Sequence, residues 1–510
     1  MKSLPKLILS CTGYFRIPQN RILLILKRFK ILLSHPYHAY LVSIFYVWNG
    51  FLLNKGLIEV KSLLGLLLFI GVVQGFLFLM FKKFYRSDSH KAGLLLTFLT
   101  ISFLFFGIGQ DFVSSIRAIA FLGKLKWFLL ICGSLFTLMG IWLKQLPAVQ
   151  ASSHRYLNLL FIIYILFQPF LINDVQPEID SSLKVVDQPV QEKPSVYLLV
   201  FDMYTGFDGQ QKYFNSIDTS MKTKLRQLEF HLVPHSKSNY FFTVYSMASM
   251  LHMNYLQGIA QHMEGNTYHY QQSLRTLKQS NVVGFFKNLG YKFNNLSSFE
   301  LANAPAFSSI GFLPHGLSLL TQQTLYGRVS KSILHWAATQ HLIPPLKLWV
   351  TEKEMISDQI LIAKTIAVSK KDTGSLFHYL HVNMPHDPFW FDRDGKKVPE
   401  QPPYTSLANE NLYFEYLNYT NRVMYNLCEQ IKKNTHGKAV ILLMSDHGYR
   451  YPLIQHKFDQ LRYSNINAIY LPKGNYRQWS DTTTNVNQFR ILFNTLFDQK
   501  IPLLPDTTVN

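Results

Sequence analysis

The chain divides into two parts by its pattern of apolar and polar positions. Five apolar stretches fill the region 39–172, and each is about long enough to cross the core of a bilayer as a helix. These stretches are Ala39–Leu53, Ser62–Phe81, Ala92–Ile108, Trp127–Leu143 and Tyr156–Ile172. We therefore predict a five-helix membrane domain at 39–172. We expect no cleaved signal peptide, because the preceding segment 1–38 is long and basic and no small-residue cleavage site follows the first apolar stretch.

The pattern changes after the last apolar stretch. Residues 173–194 are polar and contain prolines, which predicts a linker. From 195 to 510, the short β-rich runs "SVYLLVF", "SLFHYLHV", "KAVILLM" and "NAIYLP" alternate with longer helical segments, such as Glu354–Ser369, Phe414–Lys432 and Val486–Phe497. This alternation predicts an α/β domain with a mostly parallel central sheet.

The chain is strongly basic, with a formal net charge of +20. Its lysines and arginines form neither a recognition helix nor an aromatic-interleaved stripe, so we expect no nucleic-acid partner. Many of them flank the apolar stretches instead, in the segments 1–38, 82–91 and 144–155. By the positive-inside rule these segments face the cytoplasm. With five spans the soluble domain then lies outside the cytoplasm, which predicts a multi-pass protein of the plasma (inner) membrane.

Polar side chains that follow the predicted strands are candidates for chemistry, because ligands collect at the carboxyl ends of parallel strands. Asp202 follows the first strand, and the pair Asp446 and His447 follows "AVILLM". His381 and His386 belong to "FHYLHVNMPHDPF". Each signal alone also fits a turn, a helix cap or a structural histidine. Their expected coincidence on one edge of the sheet favours a site.

The residue types suit a metal and a nucleophile. Two carboxylates and an imidazole are ligands for one divalent cation, zinc or manganese. Thr243 stands at the start of an apolar helical run, where it is either an N-cap or a reacting oxygen. A helix N-terminus stabilises an alkoxide and an anionic phosphoryl or sulfuryl group, and a metal would lower the pKa of the hydroxyl. His381 and His386 are then expected to hold non-bridging oxygens or to protonate a leaving group.

In their order along the chain, these motifs resemble a known family. Asp202, "TVYSMASM", "HVNMPHDPF" and "SDHG" resemble the sulfatase-type branch of the alkaline phosphatase superfamily. "TVYSMASM" is similar to the nucleophile segment of membrane phosphoethanolamine transferases, in which a serine follows the threonine three residues later. The layout as a whole also resembles lipoteichoic acid synthases. The resemblance implies an alkaline phosphatase-like catalytic domain at 195–510.

The resemblance also implies roles for individual residues. The catalytic residues are Thr243 and His386. The metal ligands are Asp202, Thr243, Asp446 and His447. Two further histidines are expected to bind substrate: His381, and His456 in "YPLIQHKF", which is equally a candidate surface histidine.

The chain departs from the family pattern at several places. The transferases usually carry Glu where this chain has Asp202, which shortens that ligand arm by one methylene. They often contain disulfides, whereas the soluble domain has only Cys428, and neither Cys11 nor Cys132 has metal-ligand spacing. No Cys/Ser-x-Pro-x-Arg context surrounds Thr243. Sulfate-ester hydrolysis through a formylglycine is therefore disfavoured.

The resulting hypothesis is a membrane-anchored, metal-dependent sulfatase-like transferase or hydrolase. It would move a phospho-substituent from a lipid-linked donor, through a threonine intermediate, to an envelope lipid or glycan acceptor. Water as the acceptor would make it a phosphodiesterase. A non-catalytic envelope binding or assembly module is the alternative from another class. A transporter is disfavoured because the apolar stretches contain almost no ionisable residues.

Overall fold

The computed structural model describes residues 27–28, 30–171, 192–214, 219–259, 267–307, 316–330, 337, 353–398, 410–451 and 458–509. The predictions for residues 1–26 and 173–191 lie outside these described residues. The chain forms two compact units. The described part of the first, the helical unit, is 27–171 without residue 29, together with 316–330. The other described residues form the soluble unit.

The helical unit contains the predicted apolar helices. Their bounds are α1 His38–Leu53, α2 Val60–Phe84, α3 Ser89–Leu104, α4 Phe106–Ser115, α5 Leu125–Gln145 and α6 Ala151–Leu171, with a 3₁₀ helix at Arg117–Gly123. Large apolar side chains such as Leu68, Phe76 and Phe170 are exposed on their outer faces. Exposed apolar surface of this extent requires lipid around it. The chain is therefore integral to the membrane.

The number of full spans is lower than the predicted five. Among the described residues, α2, α5 and α6 are long and apolar enough to cross a membrane. Helices α3 and α4 together form a fourth span if the two are counted as one broken helix, which is bent by 63° at Phe105. Helix α1 has 16 residues. At about 1.5 Å per residue it is shorter than the roughly 30 Å hydrocarbon core.

A segment from the C-terminal half of the chain belongs to the helical unit. Residues 316–330 form two short helices, Leu317–Thr321 and Leu325–Val329. Leu317 and Leu320 pack in an apolar cluster with residues at the end of α1 and the start of α2. Polar contacts complete the docking: Tyr46 Oη to the Leu320 carbonyl at 2.7 Å, Gly107 N to the Gln323 carbonyl at 2.7 Å, and Arg328 Nη2 to Asp111 Oδ2 at 2.6 Å. The domain predicted at 195–510 therefore contributes this segment to the helical unit.

The soluble unit is built on a six-stranded sheet in the order β2-β6-β5-β1-β4-β3. The strands are β1 Val196–Phe201, β2 His231–Leu232, β3 Lys292–Leu296, β4 Leu376–Val382, β5 Val440–Met444 and β6 Asn467–Tyr470. Strand β1 is parallel to β4 and β5, and β3 is parallel to β4. Strand β6 is antiparallel to both of its neighbours, β5 and β2. The prediction of an α/β domain with a mostly parallel sheet is confirmed. The short β2 and the polar β3 were not predicted.

Helices cover both faces of this sheet. They are α7 Phe207–Phe214, α8 Thr219–Gln227, α9 Thr243–His252, α10 Thr267–Lys278, α11 Asn281–Asn288, α12 Lys353–Ser369, α13 Glu410–Asn434, α14 Phe458–Leu461 and α15 Gln488–Phe497. Alternate residues of β1 enter different cores: Leu198 and Val200 enter one, and Leu199 and Phe201 the other. Strand β1 is buried along its whole length, as expected of a central strand with helices on both sides. Its carboxyl end is consequently the middle of the sheet edge.

Candidate active site

Three neighbouring strands deliver acidic and imidazole side chains to one point of the sheet edge. Asp202 directly follows β1, His381 is the penultimate residue of β4, and Asp446 comes two residues after β5. Because β1 is parallel to both neighbours, the three strand ends meet at the same edge. The three side chains are buried, and one ligand atom from each lies within 4.8 Å of the others. The structure therefore brings together residues that are far apart in the sequence.

Two further predicted residues join this group. His447 Nε2 lies 3.4 Å from Asp446 Oδ2 and 3.7 Å from Asp202 Oδ1. Thr243 Oγ1 lies 3.4 Å from Asp202 Oδ2 and 3.4 Å from His447 Nε2. All four predicted metal ligands thus face one small volume, and His381 faces it as well, although it was predicted to bind substrate.

Thr243 does not act as the N-cap of its helix. Phe242 occupies the cap position of α9, Thr243 is the first helical residue, and no side chain caps the helix. The hydroxyl of Thr243 faces the carboxylates instead. Its position at the first turn places it where the free N–H groups and the positive end of the helix dipole lie.

The carboxylates have oxygens without partners. Asp202 Oδ1 and Asp446 Oδ2 are buried and accept no hydrogen bond among the described residues. The other oxygen of Asp446 accepts two backbone N–H bonds, from Met203 at 3.1 Å and His447 at 2.8 Å. Burial and the neighbouring Asp446 raise the pKa of Asp202 to about 7. Two facing buried carboxylates are unfavourable unless a cation lies between them.

Two imidazole rings face the same volume. The Nδ1–H of His447 donates to the Gly448 carbonyl at 2.8 Å, so its Nε2 carries the lone pair. His381 Nδ1 is hydrogen-bonded to the Tyr379 hydroxyl at 2.8 Å, and its Nε2 points towards Asp202 at 3.9 Å. Burial lowers the pKa of His447 to about 4 and also lowers the pKa of His381. Both rings are therefore neutral near pH 7, which is the form that binds metal.

These observations fit a divalent cation. The site offers unpartnered carboxylate oxygens, neutral imidazole nitrogens and a hydroxyl. This mixture suits zinc or manganese.

Hydrogen bonds from two side chains fix the backbone at Ser445 and Asp446. Ser246, one turn after Thr243, donates its hydroxyl proton to the Asp446 carbonyl at 2.6 Å. The side-chain amide of Asn485 donates to the Ser445 carbonyl at 3.3 Å. The serine of the "TVYSMASM" motif therefore links the helix that carries Thr243 to the loop that carries Asp446.

His386 has a different environment from the four predicted ligands. The proton on its Nδ1 is donated to the Asp387 carbonyl at 2.7 Å, and its Nε2 lies 2.8 Å from Nη2 of Arg450. A guanidinium is always a donor, so Nε2 of His386 accepts this bond and the ring is neutral. In this arrangement Nε2 of His386 is occupied by Arg450, and the catalytic role of His386 stays a prediction.

Arg450 is a candidate functional residue that the sequence reasoning missed. Its guanidinium stacks on Phe242, with 5.6 Å from Cζ to the ring centroid. Burial opposes its charge, yet Asp202 keeps the pKa of Arg450 above its ordinary value. Among the described residues no carboxylate oxygen lies within 4.0 Å of it. The available signal was its place four residues after Asp446 in "SDHGYR". His456, the remaining predicted site residue, lies outside the described residues.

Comparison with known proteins places this site in a family. The sequence profile of the sulfatase family matches residues 235–494. No curated protein sequence matches the chain.

Several solved structures are similar in shape. Lipooligosaccharide phosphoethanolamine transferase A from Neisseria meningitidis, an integral membrane protein, has 11% identity and a TM-score of 0.40, covering 89% of this chain and 95% of that chain. The C-terminal periplasmic domain of EcEptC from Escherichia coli in complex with Zn has 14% identity and a TM-score of 0.38, covering 60% and 82%. Phosphonate monoester hydrolase of Agrobacterium radiobacter has 12% identity and a TM-score of 0.37, covering 60% and 74%. Similarities at this level identify neither a substrate nor an activity.

Proposed function

The chain belongs to the sulfatase family, and we propose that it is a membrane-anchored, metal-dependent member that transfers a phospho-substituent from a lipid-linked donor to a cell-envelope acceptor. The observation that carries this proposal is the position of Thr243. Its Oγ1 lies 3.4 Å from both Asp202 and His447, at the N-terminus of a helix that its side chain does not cap. A nucleophilic hydroxyl requires such surroundings.

In the proposed first step, Thr243 Oγ1 forms a bond to phosphorus while the bond between phosphorus and the lipid oxygen breaks. The lipid alcohol leaves, and in net terms it takes the proton that Thr243 loses. A divalent cation held by Asp202, Asp446 and His447, with His381 beside them, would lower the pKa of the hydroxyl and offset the negative charge of the group being transferred. In the second step an acceptor hydroxyl takes the substituent and regenerates Thr243; water in its place gives hydrolysis.

Arg450 and His386 supply recognition of the transferred group in this mechanism. A partly buried guanidinium that donates to a neutral ring, that of His386, retains its full positive charge for an incoming anion. Its forked donors match the non-bridging oxygens of a phosphoryl group. His386 then orients Arg450, and the N-terminus of α9 provides further N–H donors.

Covalent catalysis is tested by mass spectrometry of the peptide that contains Thr243. The full chain in detergent is incubated with vesicles of phosphatidylethanolamine and phosphatidylglycerol, as wild type and as His386→Ala, in which resolution of the intermediate is expected to slow. We expect a mass addition on Thr243, whose size distinguishes phosphoethanolamine from glycerophosphate or bare phosphate. Thr482→Ala, which removes an exposed hydroxyl of the same unit, is the matched control and should keep the adduct. Absence of any adduct from wild type and His386→Ala, or an adduct that persists in Thr243→Ala, contradicts the proposal.

The orientation of the protein in the membrane is also a proposal, supported by the helical unit. His38, His90 and His154 lie together where α1, α3 and α6 begin, next to the basic segments 82–91 and 144–155. The docked residues 316–330 lie at the other end of α1. Since basic segments face the cytoplasm, the chain that leaves this other end is extracytoplasmic.

The proposed orientation predicts which cysteines a membrane-impermeant maleimide labels in spheroplasts, in a background lacking Cys11 and Cys132. Gln478→Cys on the exposed surface of the soluble unit should react without permeabilisation. Gln145→Cys at the end of α5 should react only after the membrane is permeabilised. The reverse pattern would overturn the proposed orientation.

A further inference from the structure

Three histidines converge at one end of the helical unit, far along the chain from the sulfatase match. His38 is the first residue of α1, His90 the second of α3 and His154 the fourth of α6. His38 and His154 are completely buried. Their rings are parallel within 1°, and His38 Nε2 lies 2.8 Å from His154 Nδ1. The centroid of the His90 ring lies 4.8 Å from that of His154.

The hydrogen bonds around His38 determine where the protons lie. The hydroxyl of Thr97 donates to the Gly93 carbonyl at 2.9 Å, so its oxygen accepts from Nδ1 of His38. His38 then has a lone pair on Nε2, which accepts a hydrogen bond from the Nδ1–H of His154. The remaining nitrogen of His154, Nε2, must carry a lone pair.

That lone pair has no partner. His154 Nε2 and His90 Nδ1 are both buried and make no hydrogen bond among the described residues. A buried polar atom without a partner is unfavourable, and in a membrane domain an ionisable side chain of this kind marks a functional site. A lone pair is satisfied by a proton donor or by a cation, and not by an anion.

We propose that His90 and His154 bind a divalent transition-metal ion at this end of the helical unit. Imidazole nitrogens select zinc, copper or nickel over magnesium and calcium. Asp88 is the nearest carboxylate in sequence, but among the described residues it does not join the two histidines in a group of three ligand atoms within 4.8 Å of one another. Its Oδ1 caps α3 by accepting from the backbone N–H groups of His90 at 2.9 Å and Lys91 at 3.1 Å, and its Oδ2 makes no hydrogen bond among the described residues. Water completes the coordination.

The charged neighbours are compatible with a cation. The ammonium of Lys91, the nearest fixed positive charge in sequence, donates to the Leu146 carbonyl at 2.5 Å. Asp88 contributes a negative charge at the start of the same helix. The metal would join α3 to α6, and through the bond from His154 to His38 it would also hold α1 in place. This site belongs to the helical unit and is separate from the carboxylate group of the soluble unit.

The test counts zinc bound to the full chain in detergent, by elemental analysis and by competition with a chromogenic chelator. His90→Asn and His154→Asn should each lose one equivalent of Zn²⁺ relative to wild type, or bind it at least about 100-fold more weakly. His436→Asn, which removes an exposed histidine of the soluble unit, is the matched control and should keep full zinc content. Unchanged content and affinity in both His90→Asn and His154→Asn would overturn the proposal.

A second measurement covers the case in which either variant folds poorly. Asp446→Asn combined with His381→Asn and His447→Asn removes the imidazole ligands of the soluble site and changes no residue of the helical unit, so one equivalent of added Cu²⁺ should bind at the proposed site. Its electron paramagnetic resonance spectrum should show coupling to imidazole nitrogens. A spectrum without nitrogen coupling contradicts the proposal. Zinc content of Asp446→Asn equal to wild type would contradict the soluble metal site alone, so the two failures are distinguishable.

Discussion

Asp446→Asn is expected to lower turnover of a phosphodiester by about 10³-fold or more, because a metal ion supplies several kcal/mol of charge stabilisation in such reactions. It should also remove one equivalent of bound metal. The same substitution should stabilise the metal-free protein, since it removes one of two facing buried carboxylates while an amide oxygen still accepts from Met203 N and His447 N. A gain of about 1 kcal/mol corresponds to a rise of roughly 2–4 °C in the melting temperature.

A loss of turnover together with a gain in stability of the metal-free protein distinguishes a metal ligand from a residue with a purely structural role. Melting temperatures are measured with and without a chelator, alongside metal analysis and turnover. In wild type, metal should raise the melting temperature by linkage, and in Asp446→Asn this rise should be lost. Asp481→Asn changes an exposed carboxylate of the same unit and should alter none of these quantities. A metal-free Asp446→Asn protein that melts below wild type contradicts the proposed repulsion between Asp202 and Asp446.

Arg450→Ala is expected to lower kcat/KM by about 10²- to 10³-fold, the effect of removing one preorganised donor to a developing negative charge. The guanidinium is held by His386 at 2.8 Å and by Phe242, so its geometry is fixed before substrate binds. Arg450→Lys should recover part of the loss, because an ammonium keeps the charge but not the forked geometry. The rates are measured with a soluble chromogenic phosphodiester, together with inhibition by inorganic phosphate.

Inhibition by phosphate separates anion binding from a purely structural role. Arg450→Ala should weaken inhibition by phosphate as well as slow turnover, whereas the thermal stability should change little. Arg477→Ala, an exposed arginine of the same unit, should leave both kinetic quantities unchanged. Phosphate inhibition that is equal in Arg450→Ala and wild type would exclude Arg450 from the anion site.

Much of the fold was predictable because it depends on local patterns. The runs that became β1, β4, β5 and β6 consist mostly of aliphatic and aromatic residues, and such runs form buried strands wherever helices cover a sheet. Strand β3, "KFNNL", has no such pattern and is a strand only because it pairs with β4. The number of spans was overestimated because α1 has only 16 residues and because apolar composition does not reveal that α3 and α4 bend by 63° at Phe105.

The candidate site was predictable to the extent that it follows from strand ends. The proximity of Asp202 and Asp446 requires that β1 and β5 are parallel neighbours. The α/β pattern predicts that they are parallel, and the structure shows that they are neighbours. By contrast, whether Thr243 caps its helix depends on where the hydroxyl points, and the place of His381 among the carboxylates depends on which face of β4 it occupies. The bond between Arg450 and His386 joins residues whose separation in sequence carries no signal.

The sequence by itself therefore determined the two-part layout, the mostly parallel sheet and the identity of most candidate ligands. These properties arise from hydrophobic periodicity and from residue types at strand ends, both of which are local. Only the tertiary structure decided that 316–330 docks on the helical unit, that Thr243 faces Asp202 and His447, and that His90 and His154 meet. These features come from packing between segments distant in the chain, where close approach and burial, and not local propensity, determine which polar atoms find partners.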